Sequence, residues 1–205
     1  MQCIVATHNP HKLEEIRRIL EPLGIETVTD TMCGFTLPEV EETGTTFAEN
    51  AYLKAADACR FSGLPAIADD SGLTVDALGG APGVYSARYA GEHATDRDRI
   101  EKLLREMQDV PQESRGAQFV SAICCVFPSG DMLTATGVCE GSIGYAPLGD
   151  NGFGYDPVFL PKEYPGESYA TVSAAEKDAV SHRGRALHHF SAQLRDYLTQ
   201  HKPSK

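Results

Sequence analysis

The sequence predicts a mixed α/β domain, and three observations support this fold class. The 205 residues are 41% hydrophobic and 23% charged, an ordinary globular composition for a chain that can bury a sizeable core. Short apolar segments alternate with helical patterns early in the chain. Later, two longer alternating segments flank a turn and predict a hairpin.

The early elements follow from apolar spacing and from capping residues. β-Branched runs indicate strands, apolar residues at helical spacing indicate the first helix, and Thr46 with Glu49 forms a capping box that opens the second. The predicted elements are strands at Cys3–Ala6, near Ile25–Val28 and at Pro65–Ala68, and helices from Lys12 onward and from Thr46 to about Phe61. The third strand ends at the carboxylate pair Asp69-Asp70.

The later elements are predicted in the same way. They are a helix opened by Thr95 and Asp98 that continues towards Met107, hairpin strands at Ala117–Phe127 and Met132–Glu140, and a C-terminal helical segment opened by the capping pair Ser173 and Glu176. Gly184 is expected to interrupt that last segment. Because no linker or repeat divides the chain, we expect one catalytic domain over residues 1–201 and a frayed tail over 202–205.

Charge and cysteine usage exclude several classes of protein. The formal net charge is -11, so no broad basic field attracts nucleic acid or anionic lipid. The longest apolar stretch, Ala122–Phe127, is too short to span a membrane, and the N-terminus lacks the features of a leader peptide. The six cysteines show no C-x-x-C spacing and lie mostly in apolar segments. We therefore expect a cytoplasmic protein with reduced thiols and neither nucleic-acid nor membrane partners.

Two acidic clusters indicate a magnesium site. Glu39, Glu41 and Glu42 precede the turn Thr43-Gly44, and Asp69-Asp70 follows an apolar strand, where open α/β sheets bind ligands. Carboxylate oxygens suit Mg²⁺, which also takes water and substrate phosphates as ligands. The alternative is that either cluster is a solvated acidic loop.

Three further segments carry polar groups that suit a nucleotide. Thr7–Lys12 joins a strand to a helix start, where free amides and the positive end of the dipole attract anions; the alternative is a plain N-cap by Asn9 with Lys12 in solvent. Gly152–Pro157 presents two aromatic rings and an Asp beside glycines, which indicates a loop that stacks on a nucleobase. The alternative is a simple turn between strands. Ser181–Gly184 supplies His182 and Arg183 as candidate ligand contacts. The alternative is that the segment is a turn at the surface with salt bridges.

Taken together, these segments resemble the inosine triphosphate pyrophosphatase family, whose members hydrolyse non-standard purine nucleoside triphosphates. The matching segments are Thr7–Lys12, Glu41–Ala51, Asp69–Leu73 with Gly79–Gly83, Gly152–Pro157 and Ser181–Gly184. They occur in the family's order over most of the chain. The resemblance implies two lobes around a long central mixed sheet, an active-site cleft between the lobes, magnesium dependence, a homodimer and cleavage of the α–β phosphate bond.

The resemblance also implies roles for individual residues. Glu42 and Asp70 would bind Mg²⁺, and Asp70 would accept a proton, although the sequence leaves open whether Asp69 or Asp70 is the dominant base. The implied phosphate-binding residues are Thr7, His8, Asn9, Pro10, His11 and Lys12, the further nucleotide contacts are Lys54, Ser71 and Lys177, and the residues that shape the base pocket are Phe153, Gly154, Tyr155, Asp156, His182 and Arg183.

Two departures and three alternatives accompany this interpretation. His8 replaces a residue that is commonly small, and Thr171 stands where a Glu is common. The alternatives are a pyrimidine-directed pyrophosphatase, a phosphohydrolase without base selectivity and a catalytically silent nucleotide-binding regulator. We also expect Arg183 to donate to the O6 acceptor of hypoxanthine or xanthine, because adenine presents an amino donor at that position.

Overall fold

The computed structural model describes residues 1–201, so the predicted tail over 202–205 lies outside the described residues. The chain divides into two compact units. Unit 1 comprises Met1–Asp70, Ser121–Gly137 and the chain from Arg183 onward, and unit 2 comprises Ser71–Val120 and Val138–His182.

The elements confirm the mixed α/β class. Within residues 1–201 the strands are β1 (Gln2–Val5), β2 (Glu26–Val28), β3 (Ala66–Val75), β4 (Gly116–Val126), β5 (Met132–Ile143) and β6 (Phe159–Pro161), and the helices are α1 (Pro10–Leu20), α2 (Phe47–Ser62), α3 (Asp96–Glu106), α4 (Ala174–Val180) and α5 (His182–Gln200). The sheet order is β2-β1-β3-β4-β5-β6. β1 pairs in parallel with β2 and β3, and β5 pairs antiparallel with β6, so the sheet is mixed.

In unit 1, helices cover both faces of the sheet. Strand β1 alternates between two cores: Val5 packs with Leu20 of α1 and Phe190 of α5, whereas Ile4 packs with Ala58 of α2. This alternation follows from the two-residue period of a strand. As a result, α1 and α5 lie on one face of the sheet and α2 lies on the other.

In unit 2, a separate core surrounds the second half of β3. Leu73 and Val75 of that strand share a cluster with Leu103 of α3 and with the aromatic residues Phe119 and Phe159. The rings of Phe119 and Phe159 meet edge to face with centroids 4.7 Å apart, a favoured aromatic geometry.

The capping residues place the helix starts where the sequence predicts them. Complete capping boxes open α2 at Thr46, α3 at Thr95 and α4 at Ser173. The predicted hairpin is also present: β4 and β5 are neighbours in the sheet, and the Phe127 N–H donates to the Asp131 carbonyl across the turn. These local signals succeed because each requires partners only a few residues away.

Two boundaries differ from the prediction. β3 continues to Val75, so Asp69 and Asp70 lie within the strand and not at its carboxyl end. The strand continues because Leu73 and Val75 are buried in the core of unit 2. The C-terminal helical segment is interrupted at Ser181, which has extended backbone angles, whereas Gly184 lies within α5. The burial of Leu187 and Phe190 on α5 offsets the helix-weakening effect of that glycine.

All six cysteines are free thiols, and five of them are buried. None of the helices in residues 1–201 combines the length and the apolar character that crossing a membrane requires.

Candidate active site

Asp69 and Asp70 are consecutive residues of β3, so their side chains project from opposite faces of the sheet. Asp69 contacts Lys12 of α1 and Arg183 of α5. Asp70 contacts Lys54 of α2. The two carboxylates of the predicted pair therefore have different ion-pair partners, Lys12 and Arg183 for Asp69 and Lys54 for Asp70.

Asp69 is buried among donors. Its carboxylate lies 2.7 Å from Lys12 Nζ and 3.1 Å from Arg183 Nη2, and it accepts a 2.6 Å hydrogen bond from Ser121 Oγ. Burial by itself would raise the pKa of Asp69, but Arg183 and Lys12 outweigh burial and hold that pKa well below its usual range. A carboxylate with so low a pKa is a poor proton acceptor at neutral pH. Asp69 thus orders two cations.

Asp70 has a different environment. Its carboxylate lies 2.8 Å from Lys54 Nζ and accepts a 3.3 Å hydrogen bond from Asn50 Nδ2. Burial raises the pKa of Asp70, and although Lys54 opposes that shift, the net direction remains upward. Of the two aspartates, Asp70 therefore has the environment that favours proton acceptance, and its role as the base stays a prediction.

Lys54 joins Asp70 to the predicted metal ligand Glu42. Its ammonium lies 2.9 Å from a Glu42 carboxylate oxygen as well as 2.8 Å from Asp70. Burial disfavours the charge, but Asp70 and Glu42 outweigh burial and raise the pKa of Lys54. The two carboxylates thus face one shared point that already attracts positive charge.

The donor set at this point fits magnesium. Glu42 and Asp70 supply hard carboxylate oxygens, and residues 1–201 contain no cluster of three or more His, Cys, Asp or Glu side chains that would form a closed metal cage. Mg²⁺ commonly binds one or two carboxylates and takes its other ligands from water and substrate phosphates. Two carboxylates are sufficient for such a site.

The predicted phosphate loop begins α1. Asn9 is the N-cap: its Oδ1 accepts from the N–H groups of His11 at 2.9 Å and Lys12 at 3.3 Å, and its own N–H donates to Thr7 Oγ1. Lys12 is mostly buried against Asp69, so the alternative that placed it in solvent is wrong. Burial lowers the pKa of Lys12, and Asp69 opposes that effect.

The remaining loop residues are more exposed. Pro10 is the first residue of α1, where its missing N–H costs nothing, and its side chain is exposed, as is that of His11. His8 is also exposed, with Nε2 3.8 Å from an oxygen of Asp30. The larger side chain at position 8 is thus accommodated in solvent beside Asp30, and the phosphate role of these residues stays a prediction.

Arg183 is fully buried, and both of its terminal nitrogens contact carboxylates. Nη1 contacts Glu15 of α1 and Nη2 contacts Asp69. Burial opposes the charge, but Asp69 and Glu15 raise the pKa of the guanidinium. The expected contact of Arg183 with a purine O6 stays a prediction.

Sequence reasoning missed three contributors to the charge clusters around Asp69 and Asp70. They are Glu15, which binds Arg183; Ser121, which donates to Asp69; and Asn50, which donates to Asp70. Glu15 stands three residues after Lys12 in an amphipathic helix, a spacing that usually places a Glu in solvent. Ser121 lies 52 residues from Asp69 in the chain, so no local signal links the two.

In unit 2, the predicted base loop surrounds a buried ion pair. Asp156 lies 2.7 Å from Lys177 Nζ and accepts a 2.9 Å hydrogen bond from the Phe153 N–H. The Lys177 ammonium lies 4.9 Å from the centroid of the Phe153 ring. A Cβ at Gly152 would stand 2.1 Å from an Asp156 oxygen, so a glycine is required there. The structure thus brings four predicted residues together at one point.

The other predicted residues of unit 2 have partners or burial of their own within that unit. The His182 ring stacks on Phe119 with centroids 4.6 Å apart, and the Tyr155 hydroxyl donates to the Ser86 carbonyl at 2.9 Å. Ser71 is half-buried on β3. Thr171, the second departure, caps a local turn by donating to the Ser168 carbonyl at 2.9 Å.

Known proteins resemble this chain over nearly its whole length. The model of the Ham1 family matches residues 3–193. The chain belongs to the Ham1 family. Among curated relatives, a dITP/XTP pyrophosphatase of an Exiguobacterium species is 47% identical over 97% of this chain and 99% of the relative, and one of Yersinia pseudotuberculosis is 49% identical over 94% and 98%.

Solved structures of Ham1 proteins share the fold. A HAM1 protein from Coxiella burnetii superposes with a TM-score of 0.84 at 42% identity and covers 96% of this chain and 99% of that chain. The Staphylococcus aureus Ham1 protein gives the same TM-score at 36% identity, over 96% of this chain and all of that chain. Membership in the Ham1 family confirms the family resemblance and the mixed α/β fold class predicted from the sequence.

Proposed function

We propose that this Ham1-family protein hydrolyses the non-standard purine nucleoside triphosphates ITP, dITP and XTP to monophosphate and pyrophosphate, and so cleanses the nucleotide pool. Relatives that are 47% and 49% identical bear the name dITP/XTP pyrophosphatase. The observation that carries the proposal is the division of roles between adjacent carboxylates. Asp69 holds two cations, whereas Asp70, with a raised pKa, can accept a proton.

Unit 1 supplies the charges that a triphosphate requires. The protein has a net charge of -11, so a ligand with about four negative charges needs local compensation. Lys12 and Lys54 supply local positive charge and are already ordered by Asp69 and Asp70. Together with the amides that begin α1, they are the proposed phosphate-binding groups.

We assign the magnesium site to Glu42 and Asp70. Their shared approach to the Lys54 ammonium supports this assignment, because the same oxygens that surround that cation suit a hard divalent ion. Mg²⁺ bound there would neutralise phosphate charge and lower the pKa of a bound water. Lys54 would then be free to turn towards the phosphates.

The protein's own chemistry is proton transfer and orientation. Asp70 accepts the proton of the attacking water at a carboxylate oxygen while Asn50 holds its other oxygen in place. The water oxygen bonds to phosphorus, the α–β anhydride bond breaks, and pyrophosphate leaves with the bonding electrons. Asp69 stays ionised throughout and keeps Lys12 and Arg183 in position.

The nucleobase is assigned to the loop of unit 2. Phe153, Gly154, Tyr155 and Asp156, with Lys177, present an aromatic ring, backbone groups and a buried ion pair. His182 and Ser71 are further proposed contacts. These groups can stack on a planar base and bond to its edge.

Arg183 is the proposed selector for a purine O6. Substituting Arg183 with Ala should lower ITP and XTP turnover by a factor that corresponds to about 1.5 to 3 kcal/mol, and ATP turnover much less. The measurement is the ITP-to-ATP ratio of kcat/KM at one Mg²⁺ concentration. An unchanged ratio would assign Arg183 to positioning Asp69 instead.

The main test is product analysis with a panel of triphosphates. Pyrophosphate and orthophosphate are measured separately from ITP, dITP, XTP, ATP, GTP and dUTP, with Mg²⁺ and with a chelator. We expect pyrophosphate from the first three, little turnover of the others and loss of activity with the chelator. Equal turnover of all the purine triphosphates would indicate an unselective phosphohydrolase. A preference for dUTP would indicate a pyrimidine-directed enzyme. Binding without turnover would indicate a regulator.

We further propose that the protein is a cytoplasmic homodimer. The six free thiols support a reducing compartment. Tyr85 and Tyr145, each 60% exposed, together with Leu148, 43% exposed, provide apolar surface for a second copy. Light scattering coupled to size exclusion tests the dimer, because a monomer mass at micromolar concentration contradicts it.

A further inference from the structure

A hydrogen bond connects the Gly152–Asp156 loop to a residue that no motif includes. The Gly154 N–H donates to Oδ2 of Asp96, the first residue of α3, at 2.6 Å. The preceding amide, that of Phe153, donates to Asp156 at 2.9 Å. Two consecutive amides of the loop are therefore held by carboxylates, one within the loop and one 58 residues away in the chain.

Asp96 is itself held in place. Its other carboxylate oxygen contacts Nη2 of Arg99, one helical turn further along α3. Arg99 in turn donates from Nη1 to the carbonyls of Ala87 at 2.8 Å and Ala94 at 2.7 Å. Because Arg99 is anchored by those two carbonyls, Asp96 presents its Oδ2 to Gly154 from a fixed position.

The far end of α3 is fixed as well. The buried Arg115 donates from Nη1 to the carbonyls of Met107 at 2.8 Å and Val110 at 3.2 Å, just beyond the end of the helix. Arg115 also donates from Nε to Ile143 of β5 at 2.7 Å. A functional group carried on an element anchored at both ends is positioned more accurately than one carried on a free loop.

A second bond restrains the same loop from another segment of unit 2. The Tyr155 hydroxyl donates to the Ser86 carbonyl at 2.9 Å, and Ser86 Oγ accepts from the Leu73 N–H of β3 at 2.9 Å. Gly154, at φ +63°, lies between Phe153 and Tyr155 and is flexible without such restraints. Asp96 supplies the restraint at Gly154 itself.

We propose that Asp96 is a positioning residue for the nucleobase loop. By holding the Gly154 amide, Asp96 sets the direction of the Phe153 ring, whose face lies beside the Lys177 ammonium. The inference rests on the proposed function, because it takes that ring as the surface against which the base stacks. A base-positioning role affects substrate binding more than the chemical step.

The experiment compares three variants. Asp96→Ala removes the acceptor, Asp96→Asn keeps an oxygen that can accept from Gly154, and Asp98→Ala is the matched control. Asp98 lies in the same helical turn and caps α3 through Thr95. The control therefore weakens the start of the helix while leaving the bond to Gly154 intact.

The first readout is hydrogen exchange at the Gly154 amide, which requires no substrate. We expect exchange to become at least about tenfold faster in Asp96→Ala, in line with the loss of a hydrogen bond to a charged group. Exchange in Asp96→Asn and Asp98→Ala should stay close to that of the parent. Equal exchange in Asp96→Ala and Asp98→Ala would overturn the inference.

The second readout is steady-state kinetics with dITP. We expect Asp96→Ala to raise KM roughly fivefold to tenfold with kcat changed less than about twofold, since the partly exposed carboxylate makes a bond that water weakens. Asp96→Asn should restore KM. A fall in kcat at constant KM overturns the positioning role. The proposed function itself fails if the parent protein releases no pyrophosphate from dITP. The positioning role of Asp96 still stands in that case if Asp96→Ala speeds hydrogen exchange at the Gly154 amide.

Discussion

The two faces of β3 give identical side chains different environments, which shift their pKa values in opposite directions. On the face covered by α1 and α5, Asp69 is enclosed by two cations and a hydroxyl, and its pKa lies well below the usual range. On the face covered by α2, burial raises the pKa of Asp70 against the opposing charges of Lys54 and Lys12. The difference shows that a residue's partners, not its type, decide in which direction the pKa of a carboxylate shifts.

The comparison also shows why the two faces tolerate different amounts of change. Around Asp69, Arg183 and Ser121 are buried and Lys12 is 16% exposed, so removing the Asp69 charge strands the guanidinium away from water. Around Asp70, Lys54 and Glu42 retain some exposure, 17% and 26% of their side chains. We therefore expect substitutions on the Asp69 face to affect stability and those on the Asp70 face to affect turnover.

The largest expected effect is on turnover and belongs to Asp70. Asp70→Asn should lower kcat for dITP by at least ~10²-fold, because an amide accepts no proton at neutral pH. Circular dichroism and thermal unfolding check that the variant is folded. A folded variant with kcat within a few-fold of the parent would transfer the base role to another group.

The next largest effect is on stability and belongs to Asp69. Asp69→Asn should reduce the free energy of unfolding by about 3 kcal/mol, since Lys12 and Arg183 stay buried without their shared counter-charge. Urea denaturation measures the loss. The control Glu101→Gln removes an exposed ion pair with Arg97 and should leave stability unchanged. If both variants are as stable as the parent, the face around Asp69 is not a structural charge cluster.

A substitution of Lys54 tests the Asp70 face of β3 without removing Asp70, the proposed base. Lys54→Ala should lower turnover of ITP and ATP alike by roughly 10 to 100-fold, the range for losing a charged hydrogen bond to phosphate. Mg²⁺ should bind the free protein more tightly, because the competing ammonium between Glu42 and Asp70 is gone. Kinetics and calorimetry measure the two effects, with exposed Lys162→Ala as the control. A loss confined to ITP would make Lys54 a base contact.

The smallest expected effect belongs to Glu15. Glu15→Gln removes one of the two carboxylates on Arg183 and should cost about 1.5 kcal/mol of stability, less than Asp69→Asn, because Asp69 still compensates the guanidinium. A double-mutant cycle with Asp69→Asn measures the coupling between the two carboxylates. Additive losses would show that Glu15 and Asp69 act independently on Arg183.

Much of the fold could be predicted because its signals are local. The capping boxes at Thr46, Thr95 and Ser173 mark the helix starts, since each joins residues three apart. The extent of β3 could not be predicted in this way. Gly72 and the polar residues beside it hide the alternation that Leu73 and Val75 resume, and those two residues become strand residues through burial in a distant core.

The site was predicted in parts for the same reason. Lys12 and Asp69 were both candidates, yet nothing in their spacing indicates that they form an ion pair 2.7 Å long. Glu15 and Asp96 were missed because each lies in a helix where an acidic residue is typical of solvent exposure. Their partners, Arg183 and Gly154, are far away in the chain.

The sequence by itself determined the fold class, the starts of the three helices with capping boxes and the set of chemical groups, because these depend on residue type and short spacing. Tertiary structure alone decided which carboxylate is saturated with charge and which can take a proton. The physical reason is that a pKa depends on burial and on charges within a few ångströms. For Asp69 those charges come from α1 and α5, and for Asp70 from α2, elements that only folding brings to the two faces of one strand.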